Sequence, residues 1–169
     1  MVAPFRLEPL AEHARAGFTC GEPALDRYFQ TQVTQDVRRR VATCFVAVEV
    51  ASGQVAAYYT IAATSMLLSE LPGDVTKRLP RYPTVPAVRI GRLAVDARFQ
   101  KRGLGGALLA DAARRSMQSP PAVFALVVDA KDDQAVAFYE HHGLQRFSSQ
   151  PRTLFIPLAV AETVLLGSE

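Results

Sequence analysis

Residues 90–106 read Ile-Gly-Arg-Leu-Ala-Val-Asp-Ala-Arg-Phe-Gln-Lys-Arg-Gly-Leu-Gly-Gly. The apolar run Ile90 to Val95 predicts a buried strand, Asp96 to Arg102 a basic loop, and Gly103 onward a turn that opens a helix. Such a turn points several backbone N–H groups at one place, and the helix behind it adds the positive end of its dipole. With glycine at 103, 105 and 106, no side chain blocks the approach of a pyrophosphate. Two other phosphate motifs match less well. A dinucleotide fingerprint needs its glycines directly off the strand, whereas here the loop intervenes and Leu108 takes the third glycine position. A Walker-type loop needs Gly-Lys-Ser/Thr, which is absent. A glycine turn that binds nothing accounts for the same letters and stays open at this point.

The bulk properties narrow the class without choosing the chemistry. A chain of 169 residues with 49% hydrophobic and 21% charged residues is expected to be one globular domain, 1–169, with a real core. A net charge of +3 permits a polyanionic partner without demanding one. The two cysteines, Cys20 and Cys44, lack C-x-x-C spacing, which argues against a zinc site or a disulfide framework. His13, His141 and His142 lack ligand spacing too, so no metal is expected. The N-terminal residues do not read as a secretory leader, and no apolar run reaches the ~18 residues of a membrane helix. The expectation is a cytoplasmic protein.

Outward from the central stretch, periodicity lays out the rest. Phe5 to Leu10 alternates as a strand, and Leu25, Tyr28, Phe29, Val33 and Val37 mark a helix ending at Arg38-Arg39-Arg40. Cys44 to Val50 and Val55 to Thr64 are strands joined by the hairpin-like Ala51-Ser52-Gly53-Gln54. The prolines in Leu79 to Pro86 predict an irregular segment. Leu104 to about Gln118 is a helix broken by Pro120-Pro121, and Val123 to Val128 is a buried strand. A further helix runs to His142 and stops at Gly143. Leu144 to Phe147 and Thr153 to Ile156 are strands, and Ala159 to Leu166 a short helix. This order predicts an α/β chain with a central mixed sheet covered by helices.

Gln100-x-x-Gly103-x-Gly105 after a strand resembles the acyl-CoA-binding motif of the GNAT N-acetyltransferases. The order of elements resembles their fold, a mixed sheet whose central strands splay apart. The resemblance implies acetyl-CoA as co-substrate, with backbone N–H groups from Arg102 through Gly103, Leu104 and Gly105 to Gly106 on its pyrophosphate. Arg98, Lys101 and Arg102 would add attraction, opposed only by Asp96, and Gln100 belongs to the same motif. Leu93, Ala94 and Val95 would give main-chain partners to the pantetheine amides. The segment Asp132 to Leu144 resembles the family's Asn-x-x-Ala-x-x-Phe-Tyr-x-x-x-Gly-Phe. It assigns Asp132 and Phe138 to the cofactor and makes Tyr139 the acid that protonates the departing thiolate. A phenol with a pKa near 10 holds its proton at neutral pH and can play that part. Asp132 departs from the family's usual asparagine.

Leu25-Asp26-x-x-Phe29, Ala57-Tyr58-Tyr59-Thr60, Leu79-Pro80-x-Tyr82-Pro83, Ile90 to Asp96 and Val128-Asp129-Ala130-Lys131 together resemble the acetyltransferase toxins of type II toxin–antitoxin pairs. Two departures are Ala57 and Lys101, where that group often has glycine. The resemblance implies an aminoacyl-tRNA acceptor acetylated on its α-amino group, a block of translation, and a ribbon-helix-helix antitoxin; a homodimer is compatible with it. The chemistry agrees with that acceptor: an α-amino group titrates near 8 against about 10.4 for lysine, so much of it is already nucleophilic. Cations away from the glycine turn are the candidates for RNA contact, namely Arg38, Arg78, Arg81, Arg89 and Arg92. The same fold acting on a small amine or a protein N-terminus, or a non-catalytic acyl-CoA-binding regulator, remains the alternative.

Overall fold

A computed structural model describes residues 4–167. Its strands form one mixed sheet in the order β1-β2-β3-β4-β5-β7-β6. β1 (Phe5–Pro9), β2 (Thr43–Glu49) and β3 (Val55–Leu67) pair antiparallel in sequence order. β4 (Thr84–Val95) and β5 (Ala125–Asp129) are parallel, and the crossover this requires carries α4 (Leu104–Met117). β7 (Thr153–Pro157) pairs antiparallel with β5 on one side and with the two-residue β6 (Gln145–Arg146) on the other. The backbone falls into two compact units, one holding the chain up to Ala62 with Gly91–Asp111, the other Ala63–Ile90 with the chain from Ala112.

In the first unit, α1 (Pro23–Arg27), a π-helical turn (Tyr28–Gln32) and α2 (Val33–Arg38) follow one another. Pro23 starts the helix where a missing N–H costs nothing. Its buried residues Tyr28, Phe29 and Val33 join Phe18, Val46, Val48 and Tyr58 in one apolar cluster. Phe29 and Tyr58 stack with centroids 4.3 Å apart at 9°, and Phe18 meets both rings edge-on. Residues 44–48 of β2 are all buried, which is why that strand reads as a continuous apolar run. The β2–β3 hairpin closes at Gly53, whose φ of +72° suits glycine, with Gly53 N–H donating to Glu49 O at 2.8 Å.

In the second unit the core is Met66, Leu71, Val85, Ala87, Ala125, Val127, Phe147 and Phe155. α3 (Gly73–Thr76) is a single turn; α5 (Asp133–His141) follows β5, and α6 (Leu158–Val164) follows β7. Gly143, at φ +95°, reverses the chain after α5 and lets Leu144 N–H bond Tyr139 O at 3.1 Å.

The structure corrects several boundaries. β4 starts at Thr84, six residues ahead of the expected Ile90, and runs straight through Pro86. Burial alternates there, with Val85 and Ala87 inside and Pro86 outside, and Pro86 O accepts Phe124 N–H at 2.9 Å. An extended φ suits proline, so only its missing donor distinguishes it from any strand residue. The parallel register joins Ala87–Ile90 to Ala125–Val128, and Leu93–Val95 follow farther along β4. β3 reaches Leu67 rather than Thr64, the basic loop contains a 3-10 turn at Ala97–Phe99, and α3 was not expected.

Candidate active site

The loop leaving β4 is organised by a buried carboxylate. Asp96 is fully buried. Its side chain accepts Thr19 N–H at 3.1 Å, Arg98 N–H at 2.9 Å, and the Arg98 guanidinium through Nε at 2.9 Å and Nη2 at 3.1 Å. Burial pushes the Asp96 carboxyl up, but the hydrogen bonds from Arg98 and from the backbone of Arg98 and Thr19 outweigh it, so the net shift is downward. Ala97 N–H donates to Thr19 O at 2.7 Å, and Gln100 Nε2 donates to Cys20 O and Val95 O, both at 3.0 Å. The loop is thereby laced to the segment that precedes α1.

Beyond it the backbone curls. Lys101 at φ +66° and Gly103 at φ +80° are left-handed on either side of Arg102, a geometry that turns successive N–H groups toward a shared concavity. Ala107 N–H donates to Gly103 O at 3.1 Å, so the helical bonding of α4 starts at Gly103. The first N–H groups of α4, those of Leu104, Gly105 and Gly106, belong to the turn that has no intrahelical acceptor. A Cβ added to Gly103 would meet nothing within 4 Å, so the space over the turn is open. The loop therefore has the donors and the room for a diphosphate. Farther along α4, buried Asp111 accepts the hydroxyl of buried Tyr59 at 2.6 Å, tying the helix to β3.

The expected cations divide. Lys101 is exposed, while the half-exposed Arg102 lies 3.8 Å from Glu49 and 5.3 Å over the Phe99 ring. Arg98 is already bound by Asp96 and by Gln54 Oε1 at 3.1 Å, so it shapes the loop rather than adding a loose charge. Ala94 is buried in the first unit's core, with Leu93 and Val95 half-buried beside it. Arg89 pairs with Asp129 across β4 and β5. Arg38 is exposed at the end of α2. Arg78 and Arg81 are exposed ahead of β4, where Lys77, Arg81 and Tyr82 share with Leu67 and Leu68 a groove of about 750 Å³. Arg92 lies over the Tyr28 ring, 3.5 Å from its centroid.

In the second unit, α5 carries the candidate acid. Asp132 caps the helix, its Oδ1 accepting Ala135 N–H at 2.8 Å, the work an asparagine at this position can also do. Phe138 packs edge-on against Tyr139 and His142. Tyr139 is only 8% exposed, and burial pushes its phenol up to about 12. Three other buried tyrosines spend their hydroxyls: Tyr28 on Asp36, Tyr58 on Leu25 O and Tyr59 on Asp111. Tyr139 differs, because among the described residues no group bonds its hydroxyl. The hydroxyl oxygen is not one of the buried polar atoms without a partner, so this O–H opens onto accessible space and can donate to a group that enters it. His142 beside it is pushed down by burial and by His141, and is neutral at physiological pH.

The sequence reading missed Asp96 as the organiser of the loop, Gln100 as its clamp, and the Tyr28–Arg92 and Tyr59–Asp111 pairs. Asp96 and Arg98 carry a weak local signal, an Asx-type turn. The two tyrosine pairs join distant segments and leave none. Among the described residues no cluster of three or more His, Cys, Asp or Glu side chains could hold a metal, and no helix is long and apolar enough to cross a membrane.

A family described as "Acetyltransferase (GNAT) domain" matches residues 77–156. The tRNA-acetylating toxin of Mycobacterium tuberculosis (strain ATCC 25618 / H37Rv) is 33% identical over 150 residues, covering 88% of each chain. Among solved structures, AtaT complexed with acetyl-methionyl-tRNAfMet superposes with a TM-score of 0.86 at 25% identity, over 94% of this chain and 97% of that one. AtaTR bound with AcCoA gives 0.77 at 26%, over 94% and 96%.

Proposed function

The chain belongs to the GNAT acetyltransferase family, and from that premise we propose that it moves acetyl from acetyl-CoA to the α-amino group of an aminoacyl-tRNA, as the toxin of a type II toxin–antitoxin pair. Its natural setting in this reading is the cytoplasm, where charged tRNA is made and where a ribbon-helix-helix antitoxin holds it in check. Bound acetyl-CoA would supply an activated acetyl thioester. The curled segment 101–106 would hold the diphosphate by its N–H groups and the dipole of α4, with Lys101 and Arg102 nearby. Leu93–Val95 would offer backbone partners to the pantetheine amides.

The observation that carries the reading is the unspent hydroxyl of Tyr139. With its pKa raised to about 12 by burial, the phenol is protonated throughout the physiological range. It serves as a donor to the sulfur that leaves when the neutral amine attacks the thioester. The α-amino group of an aminoacyl ester needs little help from a base, so the acid is the group the protein must supply.

The test is incubation of the protein with labelled acetyl-CoA and total charged tRNA, followed by identification of the acetylated aminoacyl species. Label in N-acetyl-aminoacyl-tRNA, lost in Tyr139→Phe while acetyl-CoA still binds, is the expected result. Label only in small amines or peptide N-termini would overturn the acceptor; undiminished transfer by Tyr139→Phe would overturn the acid.

A further inference from the structure

The helix that opens the first unit is broken by its π-turn, in which Val33 N–H reaches back to Tyr28 O. The extra residue keeps Tyr28, Phe29 and Val33 on the buried side and leaves Thr31 and Gln32 exposed. The Tyr28 ring, fixed in this way, carries the guanidinium of Arg92 from β4, 3.5 Å from its centroid. The phenol is held in turn by Asp36, whose Oδ2 accepts Tyr28 Oη–H at 2.7 Å and whose Oδ1 accepts Gln32 Nε2 at 3.3 Å. Carboxylate, phenol and guanidinium thus form a chain. The carboxylate bonds the phenol rather than the guanidinium, and among the described residues no group hydrogen-bonds Arg92.

Beside it opens a cavity of about 310 Å³, walled by Leu25, Arg27, Tyr28, Thr31, Gln32 and Arg92. Its lining holds two arginines and no carboxylate. A guanidinium carbon 3.5 Å from the centre of an aromatic ring has the ring covering one side, and N–H groups away from the ring remain as donors. That geometry matches two oxygens of a phosphate, and the stacking removes much of the side-chain freedom that binding would otherwise have to freeze.

We propose that this cavity is a phosphate-recognising subsite for the acceptor RNA, with Arg92 as the fork, Arg27 as a second cation, and Tyr28 and Asp36 as positioning residues. The identity of the ligand as RNA rests on the aminoacyl-tRNA reading above. The cavity itself does not depend on catalysis, so binding tests it separately.

The experiment measures binding of fluorescent tRNA across a salt series alongside acetyl transfer to charged tRNA. Arg92→Gln is expected to weaken binding about tenfold at 0.1 M salt and to lower the slope of log affinity against log salt by about 0.7–0.9, one phosphate contact. In the transfer assay it should raise KM for charged tRNA far more than it lowers kcat. Arg92→Lys keeps the charge and should hold the slope while KM still rises several-fold. Tyr28→Leu leaves the charge of Arg92 but removes its platform, so it should behave as Arg92→Lys does, and Tyr28→Phe, which retains the ring, should recover most of the loss. Thermal unfolding and acetyl-CoA binding identify any variant that merely misfolds, and Arg92→Gln, on the half-exposed Arg92, tests the subsite without touching the core. An unchanged salt slope in Arg92→Gln with normal transfer by the wild type overturns the subsite and leaves the acetyltransferase reading standing. A reduced slope without any transfer by the wild type supports the subsite and overturns the tRNA-acetylation reading. Loss of antitoxin binding alone, with tRNA binding unchanged, would assign the cavity to a protein and overturn the proposal.

Discussion

Replacing Asp96 by alanine should cost more than its place in a surface-facing loop suggests. The carboxylate is fully buried and accepts two backbone donors, Thr19 N–H and Arg98 N–H, besides the Arg98 guanidinium. A hydrogen bond to a charged group contributes about 1.5–3 kcal/mol, and the lower end applies here because Thr19 and Arg98 are exposed residues. The guanidinium is half-exposed and returns to water, so its loss adds little. The sum is about 3–4 kcal/mol, which at about 2–4 °C per kcal/mol for a chain of this length lowers Tm by roughly 10 °C. Asp96→Asn keeps one acceptor oxygen and should lose about half as much. Urea and thermal unfolding of the three proteins measure this directly. The carboxyl titrates below its ordinary 3.8 when folded, so its contribution is complete above that value and is lost as pH falls through the folded pKa. The wild-type advantage over Asp96→Asn should therefore hold above pH 4 and shrink below it. A loss under about 1 kcal/mol in Asp96→Ala, or an advantage that persisted unchanged in strong acid, would refute the role assigned to this carboxylate.

The pH dependence of transfer should show a rising limb from deprotonation of the amine and then a plateau to about pH 10, because the Tyr139 phenol titrates only near 12. An early alkaline fall that vanished in Tyr139→Phe would mean a lower phenol pKa than burial imposes. Tyr139→Phe itself should reduce kcat by about 10²–10⁴, the usual worth of a general acid, with the dissociation constant for acetyl-CoA within twofold of wild type by calorimetry. Gly143→Ala should destabilise by about 2 kcal/mol, since φ is +95° and the new Cβ would lie 2.8 Å from Val164 Cγ1. Adding Val164→Ala should restore the steric part but not the backbone part, as a thermal-melt cycle would show. Gln100→Ala removes two bonds from an exposed side chain and should cost about 1 kcal/mol in urea unfolding while raising KM for acetyl-CoA several-fold.

What could be read from the residues was whatever their near neighbours determine. The glycine turn, the start of α4 and the stop at Gly143 depend on φ and on orphan N–H groups within a few residues, and they appear where expected. The Phe138-Tyr139 step on α5 was legible because helical spacing and a terminal glycine bracket it. Prolines mask the start of β4: in the sequence they read as breakers, although Pro86 sits on an exposed strand position and its carbonyl still serves the sheet. The cations misled for a different reason. Arg98 and Arg89 look loose along the chain, yet one is held by a carboxylate two residues away and the other by Asp129, forty residues on. Nothing local indicates that Arg92 lies on Tyr28, or that Tyr28, Tyr58 and Tyr59 bond protein acceptors through their hydroxyls while Tyr139, among the described residues, does not.

The three bonds between the Thr19–Cys20 backbone and the loop after β4 carry a thermodynamic corollary. Through Tyr58, which holds Leu25 O at 2.7 Å, the same stretch of chain leads into the π-turn beneath Arg92. If filling the curled loop slows the opening of Thr19 and Cys20, the free energy of that stiffening is shared with whatever docks at Arg92. Reciprocity then requires each occupant to sharpen the other's affinity by one common factor. Amide exchange at Cys20, followed with CoA alone, tRNA alone and both together, would give the size of that factor.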